Sequence, residues 1–320
     1  MSEIIISASK LKTVQSCSYK YYANYVLKLP QEGNLGSTIG GKAHIVLECL
    51  LKERSKKTVA WCIEHNTLTP AIYRLIKKQL KSEDILNDKN FALFCECIRT
   101  GLNNDFYIEG SQLQPPEVEF NINDGFRARG FIDKFGLKGN TAHLQDFKTS
   151  KQKYSQHEMD DCTQGLMYLL AMTYMYPGID IENSQVDFLF LQFHEDPKQT
   201  FKTDKCTLAG FKEYLRHIQI YLENFTEKDA VSNMAADMSY PTKDEGFCKK
   251  LACGFSKSPG QLKKDGNIMF ACSYKWAFDY FAIVNNKGEV IKSAFKKEDL
   301  NPKDGESIVE KHYAGCPRFN

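Results

Sequence analysis

The hydrophobic period of the chain changes at the Pro-Pro pair at 115–116, and this change restricts the fold more than any other feature. Upstream, apolar residues recur at helical spacing, whereas residues 117–122 alternate between polar and apolar side chains. An alternation with a period of two is typical of a half-buried strand. The Asn-Asp-Gly sequence at 123–125 is a turn signal, and residues 126–134 and 142–148 supply two further strands. The segment therefore predicts a three-stranded meander.

Segments with helical spacing lie on both sides of this meander. The spacing predicts helices over residues 7–29, 41–51, most of 52–110, 158–176 and 208–227. Residues 186–193 are apolar enough for a strand that is buried on both faces, and residues 285–288 indicate a hairpin near the end of the chain. Helices that alternate with strands in this way predict an α/β or α+β fold around one mixed sheet.

Charge and cysteine content exclude several classes of protein. The 320 residues include 42 basic and 40 acidic side chains, so any nucleic-acid site must be a local basic patch. No apolar run approaches the length of a membrane span, and the first residues lack the basic start of a secretory signal. Eleven cysteines without an export signal argue against a disulfide framework. We therefore expect a protein of a reducing compartment, the cytoplasm.

The meander carries two carboxylates and a lysine that a hairpin would bring together. Asp146 and Lys148 share one face of a strand, and Asp133 ends the strand before it. Carboxylates that converge repel each other unless a cation lies between them, and oxygen ligands favour Mg²⁺ or Mn²⁺. Such a cation activates water and polarises phosphoryl groups, while a neighbouring lysine stabilises developing negative charge. Glu119, on a neighbouring strand, is predicted to extend this acidic cluster.

Two pairs of polar residues have the spacing that places them on one helix face. His44 and Glu48 are four residues apart, and so are Gln164 and Tyr168. His44 is a candidate imidazole ligand for the metal. Taken singly, each feature also fits a plainer structure: an exposed strand pair, a core histidine, or a helix face with one aromatic residue packed inward. Their order along the chain is what gives them weight together.

The ordered motifs resemble those of the RecB-like branch of the PD-(D/E)XK nuclease superfamily over about residues 7–195. The motifs that carry the resemblance are Ser7-Ala8-Ser9-Lys10-Leu11 before Cys17, Gly40-Gly41-Lys42-Ala43-His44 with Leu47-Glu48, Gly130-Phe131-Ile132-Asp133, Asp146-Phe147-Lys148-Thr149, and Gln164 with Tyr168. The resemblance implies a restriction-endonuclease-like mixed sheet flanked by helices. It also implies a metal-dependent deoxyribonuclease, with exonuclease action on DNA ends or single strands.

The resemblance assigns a role to each motif. Asp133 and Asp146 would bind Mg²⁺ or Mn²⁺ with help from His44, and Lys148 would lie beside the attacking water. Gln164 and Tyr168 would close the site and contact the nucleic-acid backbone, with Glu48 and Glu119 in support. On this basis we divide the chain into N-terminal helices of the nuclease core (1–51), a helical insertion (52–114), the catalytic sheet with its helices (115–235), and a cysteine-bearing segment that closes onto the N-terminus (236–320).

Part of the cysteine pattern resembles a second feature of this branch. CRISPR-associated adaptation nucleases and AddB-type nucleases hold a 4Fe–4S cluster with one N-terminal and three C-terminal cysteines. The resemblance implies Cys17, Cys248, Cys253 and Cys272 as ligands here, and Cys316 is the substitute if Cys272 does not serve. The spacing departs from that of relatives, because four residues separate Cys248 from Cys253 and eighteen separate Cys253 from Cys272. Zinc and ordinary thiols remain alternatives.

Other functional classes stay open at this point. A protein that binds nucleic acid on the nuclease fold without cleaving it is one alternative, and a metal scaffold without any nucleic acid is another. No phosphate-binding loop is present, so any helicase motor would be a separate partner. Lysine clusters lie at residues 52–57, 148–153 and 249–264, where they would supply phosphate contacts. The sequence does not determine the oligomeric state.

Overall fold

The computed structural model describes residues 4–31, 33, 35–52, 55–237, 252–264, 266 and 268–319. The chain divides into two compact units. Unit 1 consists of Met1–Ala8 and Gly33–Ile220, and unit 2 consists of Ser9–Glu32 and Tyr221–Asn320. We describe each unit by itself.

Unit 1 contains a mixed central sheet and a separate two-stranded ribbon. Its strands, in chain order, are β1 (Gln112–Leu113), β2 (Val118–Asn123), β3 (Arg127–Ile132), β4 (Lys134–Lys138), β5 (Thr141–Lys148), β6 (Gln185–Phe190) and β7 (Lys198–Phe201). The central sheet has the order β1-β4-β5-β6-β7, with β5 and β6 parallel and the other neighbours antiparallel. β2 and β3 form the ribbon. This confirms the predicted mixed sheet.

The meander predicted after the Pro-Pro pair was wrong in its number of strands. The predicted second strand is interrupted at Asp133, which lies between β3 and β4. The two hairpins β2–β3 and β4–β5 therefore belong to different sheets. The break has a local cause, because the Asp133 carboxylate accepts a hydrogen bond from the Phe147 N–H at 2.8 Å. A side chain that binds the backbone of another strand replaces part of the regular pairing there. The pattern of alternation did not reveal this corner.

The described helices are α1 (Ala8–Ser16), α2 (Ser18–Tyr21), a π-turn (Tyr22–Val26), α3 (Leu35–Leu51), α4 (Lys56–His65), α5 (Pro70–Lys81), α6 (Asp88–Leu102), α7 (Gln156–Asp160), α8 (Thr163–Met175), α9 (Lys205–Glu223) and α10 (Glu227–Ala230). Several begin where their capping residues predict. Thr69 caps α5, whose first residue is Pro70, and Asn87 caps α6. Ser155 and Glu158 form a capping box on α7. No helix among the described residues is long and apolar enough to cross a membrane.

Helices pack on both faces of the central sheet, and β5 shows how. Phe147 belongs to the same apolar core as Ala43, Val46 and Leu47 of α3, together with residues of α5 and α6. Asp146, its neighbour on β5, bonds instead with residues of α8. Because adjacent residues of a strand point to opposite faces, β5 lies between α3 and α8.

Gly40 allows α3 to approach the end of β5 closely. A Cβ atom at this position would lie 2.3 Å from Oγ1 of Thr149, closer than real Cβ contacts come. Only glycine fits this approach without displacing Thr149. His44 follows one helical turn later on α3, so the same contact fixes where its imidazole lies.

Unit 2 contains an antiparallel three-stranded sheet with the order β10-β8-β9. Its strands are β8 (Phe278–Val284), β9 (Val290–Ala294) and β10 (Ser307–Tyr313). The predicted hairpin near residues 285–288 is present, since Asn285 N–H donates to the Glu289 carbonyl and Gly288 has a positive φ of 77°. The core of this unit is rich in tyrosine, and the buried hydroxyl of Tyr313 donates to the Tyr274 carbonyl at 3.0 Å.

Candidate active site

Asp146 and Lys148, both on β5, form a buried ion pair. Lys148 Nζ lies 2.6 Å from Asp146 Oδ2. Burial alone would lower the pKa of Lys148, but the adjacent Asp146 carboxylate outweighs burial and raises it. The lysine is therefore a fixed positive charge at the end of the strand.

Two residues of α8, Gln164 and Tyr168, form hydrogen bonds with this ion pair. Gln164 donates from Nε2 to Asp146 Oδ1 at 2.7 Å and accepts from Lys148 Nζ through Oε1, also at 2.7 Å. Tyr168 donates its hydroxyl to Asp146 Oδ1 at 2.8 Å and accepts a bond from Gln164. The resemblance implied that these two side chains close the site and contact the nucleic-acid backbone. In the structure both bond to Asp146; Tyr168 is buried, and Gln164 is half-buried.

A second group lies beside this network and includes His44 from α3. His44 Nδ1 lies 3.4 Å from Asp133 Oδ2, and the imidazole packs edge-on against Phe147. Burial alone would lower the pKa of His44, but the hydrogen bond and charge of Asp133, with the charge of Asp146, raise it to about 9. The surroundings of His44 therefore carry enough negative charge to favour a cation.

Glu117 completes this group, although sequence reasoning missed it. His44, Glu117 and Asp133 each offer a ligand atom, and the three atoms lie within 4.8 Å of one another. The Glu117 N–H donates to the Asp133 carbonyl at 3.1 Å. Burial raises the pKa of Glu117, and the charge of Asp133 raises it further.

The prediction that Glu119 extends the acidic cluster was wrong, because Glu117, two residues earlier, lies there instead. Glu119 lies on the exposed face of β2, where it pairs with Arg129 at 2.5 Å and accepts a bond from Asn121. In a regular strand Glu117 and Glu119 would share a face, but Glu117 precedes β2 and has a left-handed φ of 56°. This conformation is uncommon outside glycine and turns the side chain off the strand pattern. The adjacent Pro-Pro pair, which delays the start of β2, was the available signal.

Glu48, the helical partner of His44, does not belong to the three-residue group. Its carboxylate lies 3.1 Å from Lys52 Nζ, four residues along the same helix, and it remains partly exposed. Glu48 acts on the group only through its charge, which contributes to the raised pKa of Glu117.

Comparison with known proteins identifies the family. The sequence profile of the PD-(D/E)XK nuclease superfamily matches residues 5–257, which is more than half of the chain. This chain belongs to the PD-(D/E)XK nuclease superfamily. The three carboxylates, the histidine and the lysine described above therefore lie in a nuclease fold, with oxygen and imidazole donors of the kind that divalent metals bind.

Solved structures add little beyond this. A protein from Eubacterium rectale, named provisionally as an exonuclease, has 11% sequence identity and a TM-score of 0.45, covering 73% of this chain and 86% of its own. A protein from Vibrio cholerae has 12% identity and a TM-score of 0.21, covering 72% of this chain and 59% of its own. Both scores are too low to support an inference about this nuclease-superfamily chain. None of the curated proteins compared with it matches in sequence.

Four cysteines of unit 2 line one cavity of this superfamily member. They are Cys17, Cys253, Cys272 and Cys316. The Cys272 N–H donates to the Cys253 carbonyl at 3.1 Å, which fixes these two residues side by side. Burial and the neighbouring cysteines together raise the pKa of the Cys253 and Cys316 thiols to about 11. A bound metal would favour their thiolate forms, because the thiolate is the form that ligates a metal.

The place of Cys316 differs from the expectation that Cys17, Cys248, Cys253 and Cys272 form the set. β10 runs antiparallel to β8 and brings the end of the chain back, so that the Cys316 N–H donates to the Lys275 carbonyl at 3.4 Å. Sequence spacing alone could not reveal this return. Cys248 lies outside the described residues.

The remaining described cysteines do not line this cavity. Cys62, Cys95 and Cys97 are part of the apolar core of unit 1, and Cys162 is buried before α8. Cys49 is half-buried, and Cys206 is exposed at the start of α9.

Proposed function

We propose that this protein is a metal-dependent deoxyribonuclease of the RecB-like branch, acting as an exonuclease on DNA ends or single strands. The observation that supports the proposal is that two groups of polar residues lie next to each other. His44, Glu117 and Asp133 cluster beside the buried Asp146–Lys148 pair. The reaction is hydrolysis of a phosphodiester bond by water.

The donor set supports Mg²⁺ or Mn²⁺ as the cofactor. Asp133, Asp146, Glu117 and His44 would hold it, because carboxylate oxygens are the ligands that hard divalent cations prefer and Mn²⁺ also accepts imidazole. The chemistry that such a cation supplies is polarisation of the phosphoryl group and activation of water. The charges of this cluster also fit, since three acidic groups face one imidazole.

The protein residues have separable roles in the proposed reaction. Lys148 keeps its positive charge because Asp146 lies against it, so it can stabilise the negative charge that develops on the phosphate. Gln164 fixes the position of the ammonium through Oε1. Tyr168 and Gln164 together fix Asp146 Oδ1 and leave Oδ2 on the side of the lysine. Positioning of this kind contributes because it is complete before the reaction begins.

The test is cleavage of labelled single-stranded and duplex DNA with Mg²⁺, Mn²⁺, Ca²⁺ or chelator. We expect cleavage with Mg²⁺ or Mn²⁺ only, because Ca²⁺ has a longer and looser coordination. Asp146→Asn and Lys148→Gln should each abolish cleavage, whereas Lys138→Gln, an exposed lysine at the end of β4, should not. Chelator-resistant cleavage, or full activity in Asp146→Asn, would contradict the proposal.

The polarity and end preference need a second substrate set. Circular single-stranded DNA and end-blocked duplexes should resist an exonuclease, while the linear forms should not. Cleavage of the circles would mean an endonuclease at the same site. DNA binding without any cleavage would instead support the non-catalytic alternative.

We further propose that the cysteine cavity holds a 4Fe–4S cluster. The observation behind this proposal is that four cysteines, Cys17, Cys253, Cys272 and Cys316, line one cavity. Cysteine thiolates are the ligands of iron–sulfur clusters and also of structural zinc, so metal analysis separates the two.

The cluster proposal is tested by metal analysis of anaerobically purified protein. We expect about four iron atoms and acid-labile sulfide per chain, as for a [4Fe–4S] centre. Cys17→Ser, Cys253→Ser, Cys272→Ser and Cys316→Ser should lose iron, whereas the exposed control Cys206→Ser should keep it. Iron loss in Cys248→Ser with retention in Cys316→Ser would restore the ligand set drawn from the resemblance. Tightly bound zinc without iron would overturn the cluster.

A further inference from the structure

The segment between Cys253 and Cys272 exposes large apolar side chains. Four of them are among the most exposed apolar residues of the described chain: Phe255 (62%), Leu262 (59%), Ile268 (70%) and Phe270 (59%). Exposed apolar residues that are grouped in one segment mark a binding surface more often than scattered ones do. We call the described residues from 253 to 272 the cysteine-bounded lobe.

The lobe has an ordered base that keeps its two arms together. The Cys272 N–H bonds to the Cys253 carbonyl at 3.1 Å, and further along the Met269 N–H bonds to the Gln261 carbonyl at 2.7 Å. Gly254 packs directly on the backbone of the opposite arm, where a Cβ atom would lie 2.1 Å from the Phe270 carbonyl oxygen. The two arms that carry Phe255 and Phe270 are therefore held together through their backbones at the base of the lobe.

A buried lysine fixes the first arm in addition. Lys275 is buried, and its Nζ donates to the carbonyls of Gly254 at 3.1 Å and Ser256 at 2.7 Å. Its ammonium also lies over the ring of Phe319, 4.3 Å from the centroid. Phe255 lies between the two residues whose carbonyls Lys275 binds. Its side chain is therefore exposed on a backbone that is held in place.

The charge of the lobe indicates the chemistry of its partner. Between the two cysteines the sequence has three lysines, Lys257, Lys263 and Lys264, and one aspartate. All three lysines are exposed. Lysine is depleted in protein–protein interfaces, whereas lysines interleaved with aromatic rings are typical of surfaces that bind single-stranded nucleic acid. In a duplex the bases stack on each other and are not free for the rings.

We propose that the cysteine-bounded lobe binds single-stranded nucleic acid, with bases stacked on Phe255 and Phe270 and phosphates paired with the lysines. The proposal rests on the proposed nuclease function, because that function supplies the strand. It adds a strand-binding surface in a unit that contains none of the cleavage residues. The two cysteines at its base, as ligands of the proposed cluster, would connect the order of the lobe to the presence of the metal.

The test compares ring variants in the full chain by fluorescence anisotropy of a labelled oligothymidine, with chelator present to prevent cleavage. Phe255→Ala/Phe270→Ala should weaken binding on the order of 100-fold, since each stacked base contributes about tenfold. Phe255→Leu/Phe270→Leu should lose nearly as much, because leucine keeps the apolar surface without a ring to stack on. Phe255→Tyr/Phe270→Tyr should restore binding. Ile291→Ala, an exposed apolar residue of β9, is the matched control and should change nothing.

Thermal unfolding and far-UV circular dichroism establish that each variant is folded. Unchanged oligothymidine binding in the double alanine variant, with wild-type protein that binds and cleaves DNA, would overturn the lobe proposal alone. Wild-type protein that neither binds nor cleaves any DNA would instead overturn the nuclease function beneath it. A change of oligomeric state without a change in DNA binding would assign the surface to a second copy of the chain, and so refute the proposal.

Discussion

Removing one hydroxyl from the buried network should separate positioning from catalysis. Tyr168→Phe deletes the donor that lies 2.8 Å from Asp146 Oδ1 and leaves Gln164 and Lys148 as the other partners of this carboxylate. A hydrogen bond to a charged group contributes about 1.5–3 kcal/mol, so the free energy of unfolding should fall by that amount. Partners that orient a metal ligand typically change metal affinity or activity by about 10–100-fold. We therefore expect Tyr168→Phe to need at least about tenfold more Mg²⁺ than wild type for half-maximal cleavage.

Tyr174 provides a control on the same helix. Its hydroxyl donates to Asp124 Oδ2 at 2.6 Å, so Tyr174→Phe also removes a bond from tyrosine to a carboxylate, but away from the site. Asp124 is partly exposed and keeps Lys212 and Arg216, so the control should lose less stability and should not change its metal requirement. The assay is a Mg²⁺ titration of cleavage, with thermal unfolding of both variants alongside. An equal Mg²⁺ requirement in wild type and Tyr168→Phe would refute the positioning role.

Four further outcomes are expected. Glu117→Gln should raise the Mg²⁺ requirement for cleavage while leaving thermal unfolding nearly unchanged, and an unaltered requirement would remove it from the ligand set. Gly40→Ala should destabilise by about 1 kcal/mol, because overpacking of about 1–3 kcal/mol exceeds a helix-propensity gain of about 1 kcal/mol, and adding Thr149→Ala should restore stability. Three cationic or hydroxyl partners lower the pKa of Asp124, so its contribution to stability is present above the unfolded pKa of about 3.9 and is lost as pH falls through the lower folded value. Asp124→Asn should therefore be less stable than wild type at pH 7, with the difference shrinking in acid unfolding experiments. Gln164→Glu should slow cleavage more than it lowers stability, measured by single-turnover rates.

Residue spacing was sufficient to predict the mixed sheet and to place Asp133 close to the strand that carries Asp146 and Lys148. The reason is that the relevant periods are local: two residues along a strand and four along a helix. The position of His44 follows the same rule. It lies one helical turn after Gly40, and the contact of Gly40 with the end of β5 fixes that part of α3.

What spacing could not predict depends on contacts between distant parts of the chain or on unusual backbone. Glu117 enters the cluster only because its φ is left-handed, which no alternation pattern encodes. Tyr168 faces Asp146 because of the way that α8 packs on the sheet, and a sequence cannot tell an inward hydroxyl from an outward one. Cys316 reaches the other cysteines through the pairing of β10 with β8, across many residues of chain.

The buried Asp146–Lys148 pair is difficult to explain by stability. Taking two charges out of water costs several kcal/mol for each ion, and well-packed apolar residues in place of a buried pair are often equally stable or better. Hydrogen bonds to the neutral amide of Gln164 offset part of this desolvation cost. The amide can bond to both ions, because it donates to the carboxylate and accepts from the ammonium. A carboxylate at that position would add a like charge against Asp146, and an apolar residue would remove one hydrogen bond from each ion. The proposed chemistry at the end of β5 accounts for this arrangement better than folding does, because a lysine held in its charged form beside carboxylates can stabilise the negative charge that develops in phosphodiester hydrolysis.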